Sequence, residues 1–333
     1  MSSAPTPDEI ARDATWLVQA LDPSQGAARL VAMDRESYRA ASFLDDRMLG
    51  TPLDSQIVPW TLIEEAVSDA MRSDARWIFH IGHVGSTLVS RLLGELDGVL
   101  AIREPRLLRD LALTPSDVRQ RYVALAPKLM SRTFEQSEVA CIKATSFASE
   151  IAPELVPIDE RALLLFATPQ NYIGSILAGE NSVAELRLLA GSRAQRLNLR
   201  QVYLPTQNDV DLAAAAWACE MTALEQAAER MADRQILWAN FDRMLGEMES
   251  ELTSVANFFA FDSGRAAEIA TGPLMNRYSK ALEYEYGANL RRELIAEAGE
   301  RFASDIESAL AMLTSAAEKS PLLDRALARA KEN

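Results

Sequence analysis

The chain has 333 residues, with 34 Lys plus Arg against 48 Asp plus Glu and a formal net charge of −14 at pH 7. So acidic a chain is not expected to coat nucleic acid or an anionic membrane, since both need a basic surface, although a small basic pocket for an anionic ligand remains open to it. Cys141 and Cys219 are the only cysteines and His80 and His83 the only histidines, which excludes a disulfide framework and a cysteine-rich zinc site and leaves two rings for any imidazole chemistry.

The first residues, MSSAPTPDEIARDATW, carry acids and no apolar run, so no signal peptide is expected. No stretch approaches the roughly 20 apolar residues of a membrane helix, and the expectation is a cytoplasmic protein. Residues 1–75 read as helical. Pro7-Asp8-Glu9 opens a first helix, and 61–71 places Leu62, Ile63, Ala66, Val67 and Ala70 on one side. The character changes at Trp77-Ile78-Phe79-His80-Ile81, an apolar run of strand length that leads into Gly82-His83-Val84-Gly85-Ser86-Thr87 and a helix over 88–96. Further strands are predicted at 99–102, 139–144, 161–167 and 235–239, separated by helical segments at 106–134, 170–200 and 211–232. From about 245 the chain reads as helical again, longest over 288–313, with a loosely held helix at the tail. Strands alternating with helices predict a three-layer α/β/α fold, P-loop NTPase-like, with a central parallel sheet of about four to five strands. The division expected is a helical extension over 1–75, an α/β core over 76–262 and a C-terminal helical extension over 263–333, packed as one unit.

A strand, a loop with Gly82 and Gly85, a Ser-Thr pair and then a helix have the makings of an anion cradle. The glycines let successive N–H groups turn inward, the helix start adds partial positive charge, and Ser86 and Thr87 add hydroxyls. The loop lacks the Gly-Lys-Ser/Thr ending of nucleoside-triphosphate sites and the Gly-x-Gly-x-x-Gly of dinucleotide folds. The plain alternative is a strand–helix turn whose glycines serve packing alone.

Four segments in order resemble the sulfotransferase superfamily. His83-Val84-Gly85-Ser86-Thr87-Leu88 resembles the loop that holds the 5′-phosphosulfate of 3′-phosphoadenosine 5′-phosphosulfate (PAPS), with His83 where the family usually has Lys or Arg. Ile142-Lys143-Ala144-Thr145 is similar to the second active-site strand of the cytosolic branch, with Lys143 matching and Thr145 in place of a catalytic His. Residues 163–177 resemble the segment that binds the 3′-phosphate: Pro169 and Ser175 fit, while Ala167 stands where the family has Arg. Residues 236–261, with Phe241-Asp242 at a turn, resemble the elements that close the family's sheet. The resemblance implies PAPS as co-substrate, no metal, and an acceptor hydroxyl or amine on a small molecule, glycan or peptide.

Within that resemblance the site residues fall into roles. Gly82, Gly85, Ser86, Thr87 and Ser175 would bind the nucleotide, with Arg193, Arg196 and Arg200 on one helix face, or Arg277 and Lys280, replacing the missing arginine. The bland reading of these five cations is that they are solvated or paired with surface acids. Glu104 resembles the Glu that serves as base in the tyrosyl-protein and bacterial branches; its bland reading is a helix-entry acid whose pKa Arg103 and Arg106 hold low. His83 suits a cation that stabilises the leaving group. Lys143, ending an apolar strand, needs a phosphate or carboxylate partner. Arg91 is read as an anchor to Glu95, His80 as a satisfied core residue, and Ser146 and Ser149 as caps. Two other readings stay open: a catalytically reduced member that binds a nucleotide or peptide, and a phosphoryl-transferring relative.

Overall fold

A computed structural model of the chain describes residues 4–50, 53–277 and 287–331. The N-terminal region is not wholly helical as expected. It holds a three-stranded antiparallel sheet, β1 (Trp16–Asp22), β2 (Ala27–Ala32) and β3 (Ser55–Pro59), in the order β1-β2-β3. The turn between the first two strands carries its own instructions: the Asp22 carboxylate accepts from the Ser24 and Gln25 amides, and Gly26 takes φ +57°. Residues 17–21 are all buried, so β1 lacks the alternation that marks a half-exposed strand, and alanine-rich β2 looks like helix. The helix expected over 61–71 runs only over Trp60–Ala66.

The core sheet follows the prediction. Its strands are β4 (Arg76–His80), β5 (Val99–Arg103), β6 (Val139–Lys143), β7 (Arg161–Phe166) and β8 (Gln235–Asn240), in the order β5-β6-β4-β7-β8 and all parallel. Helices cover both faces, which is why β4 to β7 are continuous apolar runs. The chain leaves β4 for one half of the sheet and crosses to β7 in the other, so the switch point lies at the carboxyl end of β4, where open α/β sheets place their ligands.

Several expected helices are divided where the sequence breaks them. The 106–134 segment becomes Arg106–Leu113, Ser116–Val123 and Ala126–Met130, interrupted near Pro115 and Pro127. The 170–200 segment parts at Gly179 into Pro169–Leu177 and Glu180–Leu199. The 288–313 segment parts at Phe302 into Ala288–Arg301 and Ala303–Ala317. The final helix, Pro321–Lys331, is not loosely held: Leu323, Ala326 and Ala330 are buried, and Arg325 and Arg329 reach Glu229 and Glu225 on Asp209–Arg230. One apolar cluster runs from Ile10 to Ala330. Among the described residues no helix is long and apolar enough to cross a membrane.

Candidate active site

β4 ends at His80, and the loop that follows opens onto the switch point. Three of its four central residues are left-handed: Gly82 at φ +77°, His83 at +51° and Gly85 at +64°. Such a backbone turns N–H groups toward one concavity, and the helix Ser86–Leu93 begins at Gly85 without a side-chain cap. The two glycines are required differently. A Cβ at Gly82 would touch only Ser146 Oγ at 3.9 Å, so its backbone angle alone demands glycine; a Cβ at Gly85 would lie 1.9 Å from Phe241 Cζ. The turn after β8 therefore presses a ring against the loop, and its Asp242 accepts from the Thr168 amide at 3.3 Å and from Arg291 at 3.3 Å.

A cleft of about 520 Å³ lies over this loop, lined by Gly82 to Thr87 and by His80, Glu104 and Lys143. Lys143 is the last residue of β6 and 1% exposed, the position at which a buried ammonium needs a partner. The partner is Glu104. This residue follows β5 in the left-handed region at φ +51°, and its N–H donates to the Lys143 carbonyl at 2.7 Å, which bends the chain so that the carboxylate folds back over the sheet edge. Lys143 Nζ donates to Oε1, Arg47 Nη2 donates to Oε2 at 3.0 Å, and His80 Nε2 stands 3.8 Å from Oε1. Burial by itself pushes the Glu104 carboxyl upward, but the Lys143 ammonium, which also donates to it, and the Arg47 guanidinium oppose that, and the pKa is held at about 2.

The low pKa was expected from Arg103 and Arg106, and here the structure corrects the reading. Arg103 turns away from the cleft and donates to the carbonyls of Tyr38, Arg39 and Ala41, while Arg106 pairs with Asp46 and Asp110. Side-chain direction, not sequence proximity, decides which cation acts. Arg91 likewise donates to Arg39 O, Ala40 O and Ser42 Oγ, and Glu95 pairs with Arg39 instead. Two guanidiniums thus gather the carbonyls at the end of helix Arg35–Ala40, which fixes the start of the segment that carries Phe43 and Arg47 over the cleft.

The opposite wall is the helix Glu180–Leu199. Its Arg193 and Arg196 line the cleft and are buried, so they are not solvated. Glu220 accepts from Arg196 at 2.8 and 3.0 Å and from Arg193 Nε at 3.5 Å, and Glu150 accepts from Arg196 and Arg200. Burial raises the Glu220 carboxyl, and the arginines, Arg196 foremost, bring it below its ordinary value. His83 turns toward this wall, with Nε2 3.9 Å from Glu185 and its ring edge-on to Tyr172 at 6.3 Å.

Other expected site residues lie elsewhere. Ser175 is not among the cleft-lining residues; its hydroxyl donates to the His83 carbonyl at 3.5 Å and supports the loop from behind. Arg277 is exposed and outside the cleft lining, and Lys280 lies outside the described residues. Ala167 uses its carbonyl to accept from Trp217 Nε1 at 3.0 Å. Thr145 and Ser146 line the cleft, and the short turn Ser146–Ile151 has no side-chain cap, so Ser146 and Ser149 are not its caps. Among the cleft residues that the sequence reading did not place in the site are His80, Phe43 and Arg47. His80 had a signal, as the last residue of the strand before the loop; Phe43 and Arg47 had none, because they arrive from a distant segment.

Together the sheet order, the left-handed loop and the uncapped helix start define a doubly wound α/β protein whose cleft opens at the switch point of its sheet. No family model and no curated protein matches the chain. Among solved structures it is similar to the sulfotransferase domain from the curacin biosynthetic pathway, at 10% identity over 70% of this chain and 99% of that one, with a TM-score of 0.42. It is similar also to the sulfotransferase domain from the Synechococcus PCC 7002 olefin synthase, at 13% identity over 71% and 97%, with a TM-score of 0.40.

Proposed function

We propose that this chain is a sulfotransferase-like enzyme that passes a sulfuryl group from PAPS to a hydroxyl or amine of a small molecule, glycan or peptide. The observation that carries the reading is the left-handed loop Gly82–Gly85 set before an uncapped helix start, with buried Lys143 in the same cleft. The loop amides with Ser86 and Thr87 would hold the phosphosulfate, His83 and Lys143 would neutralise charge on the departing phosphate, and Arg193 would supply the cation that Ala167 does not. The bound nucleotide supplies an activated sulfuryl group with a good leaving group. Glu104 would take the acceptor's proton: with its pKa near 2 it is fully ionised at neutral pH, and sharing Lys143 with a bound anion would make it more basic.

Calorimetric titration with 3′-phosphoadenosine 5′-phosphate, with ATP as comparator, tests the proposal. Micromolar binding of the bisphosphate that is lost in Ser86→Ala/Thr87→Ala is expected; no binding at millimolar ligand overturns it, and preference for ATP points to phosphoryl transfer. A second reading, a nucleotide- or peptide-binding member without turnover, is favoured by one observation: the Glu104 carboxylate is already held by Lys143 and Arg47. Tight bisphosphate binding with no sulfate transfer to a broad acceptor panel would select it.

A further inference from the structure

His80, 4% exposed at the end of β4, lies between the loop and the Glu104 carboxylate. The Gly82 N–H donates to its Nδ1 at 2.9 Å. A ring nitrogen that accepts a hydrogen bond carries no proton, so the neutral imidazole must hold its proton on Nε2. That atom faces Glu104 Oε1 at 3.8 Å, beside Lys143 from β6 and Arg47 from the covering segment, both on the same carboxylate.

We propose that His80 is a positioning residue that joins the anion loop to the Glu104 carboxylate. Nδ1 fixes the Gly82 amide and with it the left-handed entry of the loop, while Nε2–H confronts Oε1 and keeps the carboxylate on the cleft side. His80 is then not the base, because the lone pair a base would use is occupied by the Gly82 amide. The consequence for nucleotide binding rests on the function proposed above; the positioning itself is a property of the free protein.

The low histidine content makes the test direct. In the full chain labelled with ¹⁵N, only His80 and His83 contribute ring signals, and a His83→Asn variant assigns them. At pH 8 the expected His80 spectrum is that of a single tautomer, protonated on Nε2 and bare on Nδ1; the opposite tautomer, or an averaged pair, overturns the proposal. Two variants then separate the ring's two contacts. His80→Asn places an amide oxygen near the position of Nδ1 and can still accept from Gly82, whereas His80→Gln reaches the Nε2 position and offers nothing at Nδ1. Exchange of the Gly82 amide is expected to stay within about twofold of the parent in His80→Asn and to rise roughly five- to tenfold in His80→Gln, the worth of one neutral hydrogen bond. Affinity for 3′-phosphoadenosine 5′-phosphate should fall by a similar factor in His80→Gln only. Equal behaviour of the two variants overturns the proposal. If the parent binds no bisphosphate, the sulfotransferase reading fails, and the tautomer and amide exchange still judge His80; if His80→Gln does not fold, the parent's tautomer decides alone.

Discussion

A single methyl group separates the two glycines of the loop. At Gly82 it would meet only Ser146 Oγ at 3.9 Å, so Gly82→Ala should cost only the left-handed penalty, about 1–2 kcal/mol. At Gly85 the same backbone penalty is joined by overlap with the Phe241 ring, and Gly85→Ala should cost about 3 kcal/mol or more. Adding Phe241→Leu to Gly85→Ala should recover part of the loss, a non-additivity that urea unfolding of the four proteins would reveal. The Glu104–Lys143 pair argues similarly from charge. The folded pKa of Glu104, about 2, lies below its ordinary 4.5, so its contribution to stability is complete above about pH 4.5 and is lost as pH falls through 4.5 toward 2. Lys143→Met removes a main counter-charge while burial remains, so the carboxyl should titrate higher by carbon NMR and stability at pH 7 should fall by about 3–5 kcal/mol. The double variant Lys143→Met/Glu104→Leu should lose less than the single one. Much of this site was legible in the sequence: a lysine ending an apolar strand announced a partner, and Gly82, Gly85 and Glu104 stood out by type and place. What stayed hidden depends on side-chain direction, as with Arg103 facing helix Arg35–Ala40 while Arg47 crosses from a distant segment to Glu104.

Elements were legible where one physical signal dominated. The five parallel strands are short apolar runs bounded by polar residues, so both their existence and their class could be read from the chain. The N-terminal strands failed because full burial of residues 17–21 erased the alternating pattern, and because the turn signal in Asp22-Pro23-Ser24-Gln25-Gly26 stands between segments that also suit helix. The final helix was misjudged for a different reason: its charged residues suggest solvent, yet its arginines reach acids on Asp209–Arg230, and Glu225 is 4% exposed. Leu323, fully buried, should cost about 2–4 kcal/mol when replaced by alanine. Truncation after Ser320 should cost more, because it strips the apolar cover from Asp209–Arg230 and removes both arginines from a buried carboxylate. Thermal unfolding of the parent, Leu323→Ala and the truncated chain would show that order; an unchanged midpoint in the truncated chain would mean that the helix is not held.

At the scale of the whole molecule, two opposed fields act on any anionic ligand. The chain carries −14, yet the cleft is lined by six Lys or Arg side chains against five carboxylates and is completed by loop amides and a helix start. From afar a nucleotide meets the repulsion of the whole chain; only inside the cleft do the donors prevail. Salt separates these ranges, because the screening length falls from about 30 Å at 0.01 M to about 8 Å at 0.15 M. Repulsion acting over tens of ångströms is then screened, while contacts made at hydrogen-bond distance inside the cleft are screened much less. The association rate of a fluorescent adenosine bisphosphate should therefore rise a few-fold between those salt concentrations, the reverse of what a basic nucleotide-binding surface gives. Stopped-flow mixing across that range measures it, with the dissociation rate followed separately so that weakening of close contacts is not mistaken for slower encounter. A falling association rate would mean that the local field of the cleft reaches into solvent, with the excess acidic charge gathered on faces turned away from it.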